Sequence, residues 1–128
     1  MSKLIALLSF GLCFAINAVA DESDSLIDFG SVDEAYQVLS ADQSATMTNF
    51  EGWIIYNKKH NGIYTLWSFT PLSHPAHPSV VRRDITNQES GLFISMSALC
   101  ESEKTHCDAL IEDFREINEN LRKKHSGG

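Results

Sequence analysis

From Trp53 to Leu99 the chain reads in the period of a β-strand, and nothing else in it constrains the fold as tightly. Trp53-Ile54-Ile55-Tyr56 is a β-branched and aromatic run. Lys58-Lys59-His60-Asn61-Gly62 carries a turn, and Ile63 to Phe69 is a second run of the same kind. Asn-Gly between two such runs is a strong hairpin signal, because both residues tolerate the positive φ of a two-residue turn. Alternation then puts Ile63, Thr65, Trp67 and Phe69 on one face, and Tyr64, Leu66 and Ser68 on the other. Ser79 to Thr86 reads as a third strand, Asn87 to Gly91 as a turn and Leu92 to Leu99 as a fourth strand. In the fourth, Leu92, Ile94, Met96 and Ala98 point to the core and Ser95 and Ser97 away from it. Thr70 to Pro78 holds all three prolines of the chain, so it is a connection and not interior strand.

Helical patterns flank this region. Ser31-Val32-Asp33-Glu34 is a capping box, with Ser31 as N-cap and Glu34 as the carboxylate three residues on. The helix it opens runs to about Ala41, with Val32, Ala35, Tyr36, Val38 and Leu39 as its apolar stripe. Residues 42–51 are polar, have no clear period and are read as a connection. The last element spans Cys107 to about Lys124, with Leu110, Ile111, Phe114, Ile117 and Leu121 in one amphipathic stripe. The order α-β-β-β-β-α implies an α+β fold. A four-stranded antiparallel meander is flanked by an N-terminal and a C-terminal helix, both expected on one apolar surface in two layers.

The first 20 residues carry a different signal. Lys3 precedes an apolar stretch from Leu4 to Ile16, and Ala18-Val19-Ala20 supplies small-residue cleavage positions, so 1–20 reads as a cleaved signal peptide. The apolar stretch is shorter than a bilayer span, and no membrane span is expected after cleavage. Residues 21–30 form a flexible acidic leader, 31–125 the single domain and 126–128 a tail. Export places the chain in the periplasm or outside the cell, where cysteines oxidise. Cys13 leaves with the signal, and Cys100 and Cys107 remain to form one bridge. On one continuous helix seven residues separate Cα atoms by about 10 Å, too far for a disulfide. The helix is therefore expected to start between them, with Thr105 and Asp108 as its cap.

A formal net charge of −7 excludes nucleic acid and anionic membrane surfaces as natural partners, because their affinity comes from neutralised phosphates. It suits a basic protein partner. Among candidate chemical groups, His74 and His77 stand three apart, each before a proline. Extended geometry forced by those prolines leaves their Cα atoms about 9 Å apart, which strains a shared metal. They are nevertheless the candidate metal ligands, with His60 as a third in space. No H-E-x-x-H, G-x-S-x-G or phosphate-cradling glycine loop is present, and no catalytic residue or cofactor is assigned. Trp67, His74, His77, Arg82 and Arg83 are the candidate partner-binding residues, since aromatic and Arg side chains give large contact area for little ordering entropy.

The sequence therefore implies a small exported protein without enzymatic activity that binds another protein. An inhibitor or immunity protein against an envelope hydrolase or toxin is the favoured subclass. Two alternatives stand beside it, a metal or small-ligand carrier using His74 and His77, and a periplasmic assembly chaperone lending a sheet edge. Open strand edges leave a homodimer possible in principle.

Overall fold

The computed structural model describes residues 27–126. Residues 1–20, read as a signal peptide, and most of the segment 21–30, read as an acidic leader, lie outside the described residues. Seven elements follow in order: α1 (Val32–Ala41), β1 (Thr46–Phe50), β2 (Trp53–His60), β3 (Ile63–Phe69), β4 (Ser79–Gln88), β5 (Gly91–Cys100) and α2 (Lys104–Ser126). The strands form one antiparallel meander in the order β1-β2-β3-β4-β5.

The sheet has five strands, where the sequence pattern implies four. The additional strand, β1, occupies part of the segment read as a connection, and its pairing runs from Thr46↔Asn57 to Phe50↔Trp53. All five of its residues are exposed. An edge strand that buries nothing leaves no alternation in its sequence, so period-based reading passes over it. Its turn is equally quiet. Glu51 and Gly52 take φ of 51° and 88°, a primed hairpin turn in which Glu occupies a position usually held by Asn, Asp or Gly. The next hairpin uses Asn61 and Gly62, with φ of 50° and 81°. Two residues suffice for that turn, so Lys58, Lys59 and His60 belong to β2 and not to the turn.

Cross-strand register sorts the side chains into two faces, because directly paired residues point the same way. Ile54 pairs with Phe69, Phe69 with Val80 and Val80 with Leu99. These residues, with Tyr56 and Trp67, pack under Val32, Ala35 and Leu39 of α1. Ser68 pairs with Val81 and Val81 with Ala98, on the other face. There Val81 and Met96 pack under Leu110 and Phe114 of α2, with Trp53 and Ala76 beside them. The helices thus cover opposite faces, giving three layers in place of the expected two. Polar residues at buried sheet positions, Ser68 and Arg83 among them, mask the second apolar face in the sequence.

Ser31 caps α1 as expected, but Glu34 reaches back one residue further than a capping box requires, to Gly30 and not to Ser31 N. Ser31 Oγ accepts from Glu34 N at 3.0 Å, and the Glu34 carboxylate accepts from Gly30 N at 2.8 Å. Cys100, the last residue of β5, is bridged to Cys107 in the first turns of α2, with Cα atoms 5.8 Å apart. The helix does start between the cysteines, but at Lys104, with Cys107 N donating to Glu103 O. Thr105 lies inside the helix and does not cap it.

Candidate partner-binding site

Residues 70–78 leave β3 and return to β4, and backbone and side-chain hydrogen bonds fix their course. Thr70 and Ser79 clasp the base, since Thr70 N donates to Ser79 O at 3.0 Å and Ser79 N donates to Thr70 Oγ1 at 3.0 Å. His77 Nδ1 lies 2.9 Å from Thr70 Oγ1 and 3.1 Å from Thr70 O, which ties the second half of the loop to its first residue. Two turns fill the interior, with His74 N donating to Pro71 O and His77 N to His74 O, both at 3.0 Å. His74 Nδ1 accepts from Ala76 N at 2.9 Å, and Ser79 Oγ donates to Ala76 O. The His77–Pro78 peptide is cis. The disulfide-closed segment after β5 holds the outside of the loop, with Glu101 N donating to Pro78 O at 2.9 Å and Ser102 Oγ to Pro75 O at 3.1 Å.

A loop held at this many points loses little entropy when it is bound. At its tip stands Leu72, 89% exposed, the most exposed large apolar residue of the described chain. Beside Leu72 opens a cleft of about 620 Å³ between the loop and α1. Val32, Tyr36, Ile54, Phe69 and Pro71 give it apolar walls, while Asp33, Glu101 and His77 form its polar lining. Tyr36 is fixed edge-on against Phe69 and Tyr56, with ring centroids 5.4 and 6.1 Å away. Gly52 also lines the cleft, and a Cβ there would sit 3.2 Å from Pro71 Cβ, so a larger residue would push the β1–β2 turn and the loop apart by a few tenths of an ångström.

The five residues singled out in the sequence do not form one surface. Trp67 is 9% exposed and belongs to the core under α1. Arg82 covers its ring at 5.6 Å and pairs with Asp84 at 3.2 Å and Asp28 at 3.8 Å. Arg83 lies on the opposite face, under α2. His77 lines the cleft beside Leu72. His74 turns the other way, edge-on to Trp53 at 5.3 Å. His60 sits at the far end of β2, about 20 Å away along the seven residues of β3, so it does not join the loop histidines. No group of three His, Cys, Asp or Glu side chains among the described residues is arranged to hold a metal ion. The residues missing from the sequence-derived set are Leu72 and Tyr36. Leu72 did carry a signal, being the one large apolar side chain in a Pro-rich turn segment with no periodic partner to bury it.

Together these features define a class: a disulfide-bridged α+β domain presenting a rigid loop beside an apolar cleft. No family model, curated protein or solved structure matches the chain.

Proposed function

We propose that this is a binding protein without catalytic activity of its own, engaging another protein through the 70–78 loop and the cleft beside it. The observation that carries the reading is Leu72, held almost fully in solvent on a loop with little freedom left to lose. A single exposed apolar residue is ordinary, but Leu72 continues the apolar wall of a concave cleft that Tyr36 and Pro71 also line, and a contiguous preorganised apolar surface of this kind is what a protein partner buries. Carboxylates at the rim, Asp33 and Glu101, and the net charge of −7 favour a partner segment that brings an apolar side chain flanked by basic ones. Inhibition of an exported hydrolase, or immunity against a delivered toxin, is the form of activity that such an acidic, rigid module suits. Export is part of the same proposal. The disulfide is compatible with it, and no helix among the described residues is long and apolar enough to cross a membrane.

The test compares Leu72→Asp with the unaltered protein in capture experiments on envelope extracts. An exposed position tolerates this change within about 0.5 kcal/mol, so folding is preserved. One stoichiometric protein, held by the unaltered chain, lost with Leu72→Asp and retained with a remote change such as Glu119→Ala, is the expected result. Equal loss from Glu119→Ala, or a partner indifferent to Leu72, overturns the assignment of the loop.

A further inference from the structure

Arg83 is a second anomaly, on the opposite face from the loop cleft and independent of it. It stands in the middle of β4, 8% exposed, pairing across the sheet with Leu66 and Met96. No carboxylate among the described residues lies within 4.0 Å of its guanidinium. Among the described residues its guanidinium finds one acceptor, Asn118 Oδ1 at a long 3.3 Å, and its buried Nε has none. The Phe114 ring, 5.1 Å from the guanidinium carbon, offers a cation–π contact, a weak substitute for an anion. Next to it Ser68, 1% exposed, holds its hydroxyl without a partner either. An unpaired buried charge costs several kcal/mol, and a hydrophobic residue of similar volume would remove that cost. Burial acts on Arg83 accordingly, lowering its pKa from the ordinary Arg range.

Both groups line one groove. It has a volume of about 280 Å³ and lies between α2 and strands β1 to β4 of the sheet. Phe50 and Trp53 form one wall, and Leu110, Phe114 and Ile117 the other, above a floor of Ile55, Ser68 and Arg83. Phe50, 61% exposed, and Ile117, 43% exposed, leave apolar surface open at its mouth. Glu51, Asp113 and His74 also line the groove; the two carboxylates oppose anions in general and polyanions most, so only a single carboxylate seated directly against the Arg83 guanidinium has its charge matched.

We propose that this groove binds a monoanionic carboxylate carried on a small apolar body, with Arg83 as the group that recognises the carboxylate. Arg presents a planar fork matched to two carboxylate oxygens, which supplies the acceptors that the fold itself withholds. The apolar walls receive the body of the ligand, and the volume, just below the usual range for drug-sized sites, limits that body to a small one.

The experiment uses the full chain and follows amide and Arg83 Nε–Hε resonances while 4-phenylbutyrate is added, with 4-phenylbutyramide and inorganic phosphate as comparison probes. Shifts at Arg83 Nε–Hε and in Phe50, Ser68 and Ile117 with the carboxylate, and at least about tenfold weaker binding of the amide, are expected. N-acetyl-leucyl-phenylalanine with a free carboxylate identifies the source of the ligand. Tighter binding than 4-phenylbutyrate points to a peptide terminus, and weaker binding to a free organic acid. Arg83→Met should remain folded and lose binding about tenfold or more. Should that variant not fold, Ile117→Glu places a carboxylate at the exposed mouth and must weaken the same ligand. Equal binding of amide and acid, phosphate bound as well as the carboxylate, saturation at neither probe, or ligand unaffected by Ile117→Glu overturns the proposal.

Discussion

Among the bonds that preorganise the 70–78 loop, the one made by the Thr70 hydroxyl at its base can be removed by a single change of like shape, and Thr70→Val isolates it. Thr70 is buried, its Oγ1 accepts from Ser79 N at 3.0 Å, and it stands 2.9 Å from His77 Nδ1. Val matches the branched shape of Thr but offers no acceptor, so Ser79 N, itself buried, is left without a partner. The His77 ring keeps the second contact, to Thr70 O at 3.1 Å, and the backbone bond from Thr70 N to Ser79 O is untouched. One orphaned buried donor costs roughly 1–3 kcal/mol, and the gain from burying a methyl in place of a hydroxyl offsets little of it here. A loss of about 2 kcal/mol is therefore expected, a drop in Tm of roughly 8–16 °C for a domain of this size. Chemical denaturation gives the energy directly, and amide exchange locates it, with the Ser79 and His77 amides losing protection ahead of the β4–β5 core. Thr70→Ser, which restores the acceptor, should recover most of the difference. A Thr70→Val protein within about 0.5 kcal/mol of the parent (the ordinary surface range), with Ser79 exchange unchanged, would refute the side-chain half of the clasp.

Two further outcomes follow from the same structure. Replacing both Cys100 and Cys107 by Ser opens the short covalent loop that holds β5 to α2, and the chain-entropy model gives a loss of about 2.5 kcal/mol, measurable as a lower denaturant midpoint. Because Glu101 and Ser102 within that loop also hold Pro78 and Pro75, the melting of the Pro-rich loop should follow it downward. The Lys58 ammonium, hydrogen-bonded to Asp42 at 2.7 Å, together with Ser44, holds the Asp42 carboxyl down from 3.8 to about 2. A folded-state value below the unfolded one gives stability that is complete above pH 3.8 and lost as pH falls toward 2. Urea unfolding of the parent and Asp42→Asn should therefore differ at pH 6 and converge near pH 2. A constant difference across that window contradicts the ion pair.

Legibility of the fold followed burial on a single face. Strand β3 was readable to the residue, since Asn61-Gly62 sets its start and Pro71 its end. The box at Ser31 and the stripe of Leu110 and Phe114 marked the helices for the same reason, one side of each being buried. Strand β1 was invisible because Thr46 to Phe50 bury neither face, and pairing by backbone alone leaves no trace in side-chain pattern. The third layer was hidden by the opposite circumstance. A sheet covered on both sides should show unbroken apolar strands, yet β4 carries Arg82-Arg83-Asp84 through its centre. Spacing alone does separate these three, because residues two apart share a face and Arg82 thereby meets Asp84. The same rule sends Arg83 to the other face with no acid two residues away on either side, Val81 and Ile85 being its neighbours there. Its lack of a carboxylate partner within the strand was thus written in the sequence, and only its burial under α2 required the fold. A cation is costly to keep in such a place, which makes Arg83 the residue at which the physical demands of folding and the layout of the chain diverge most sharply.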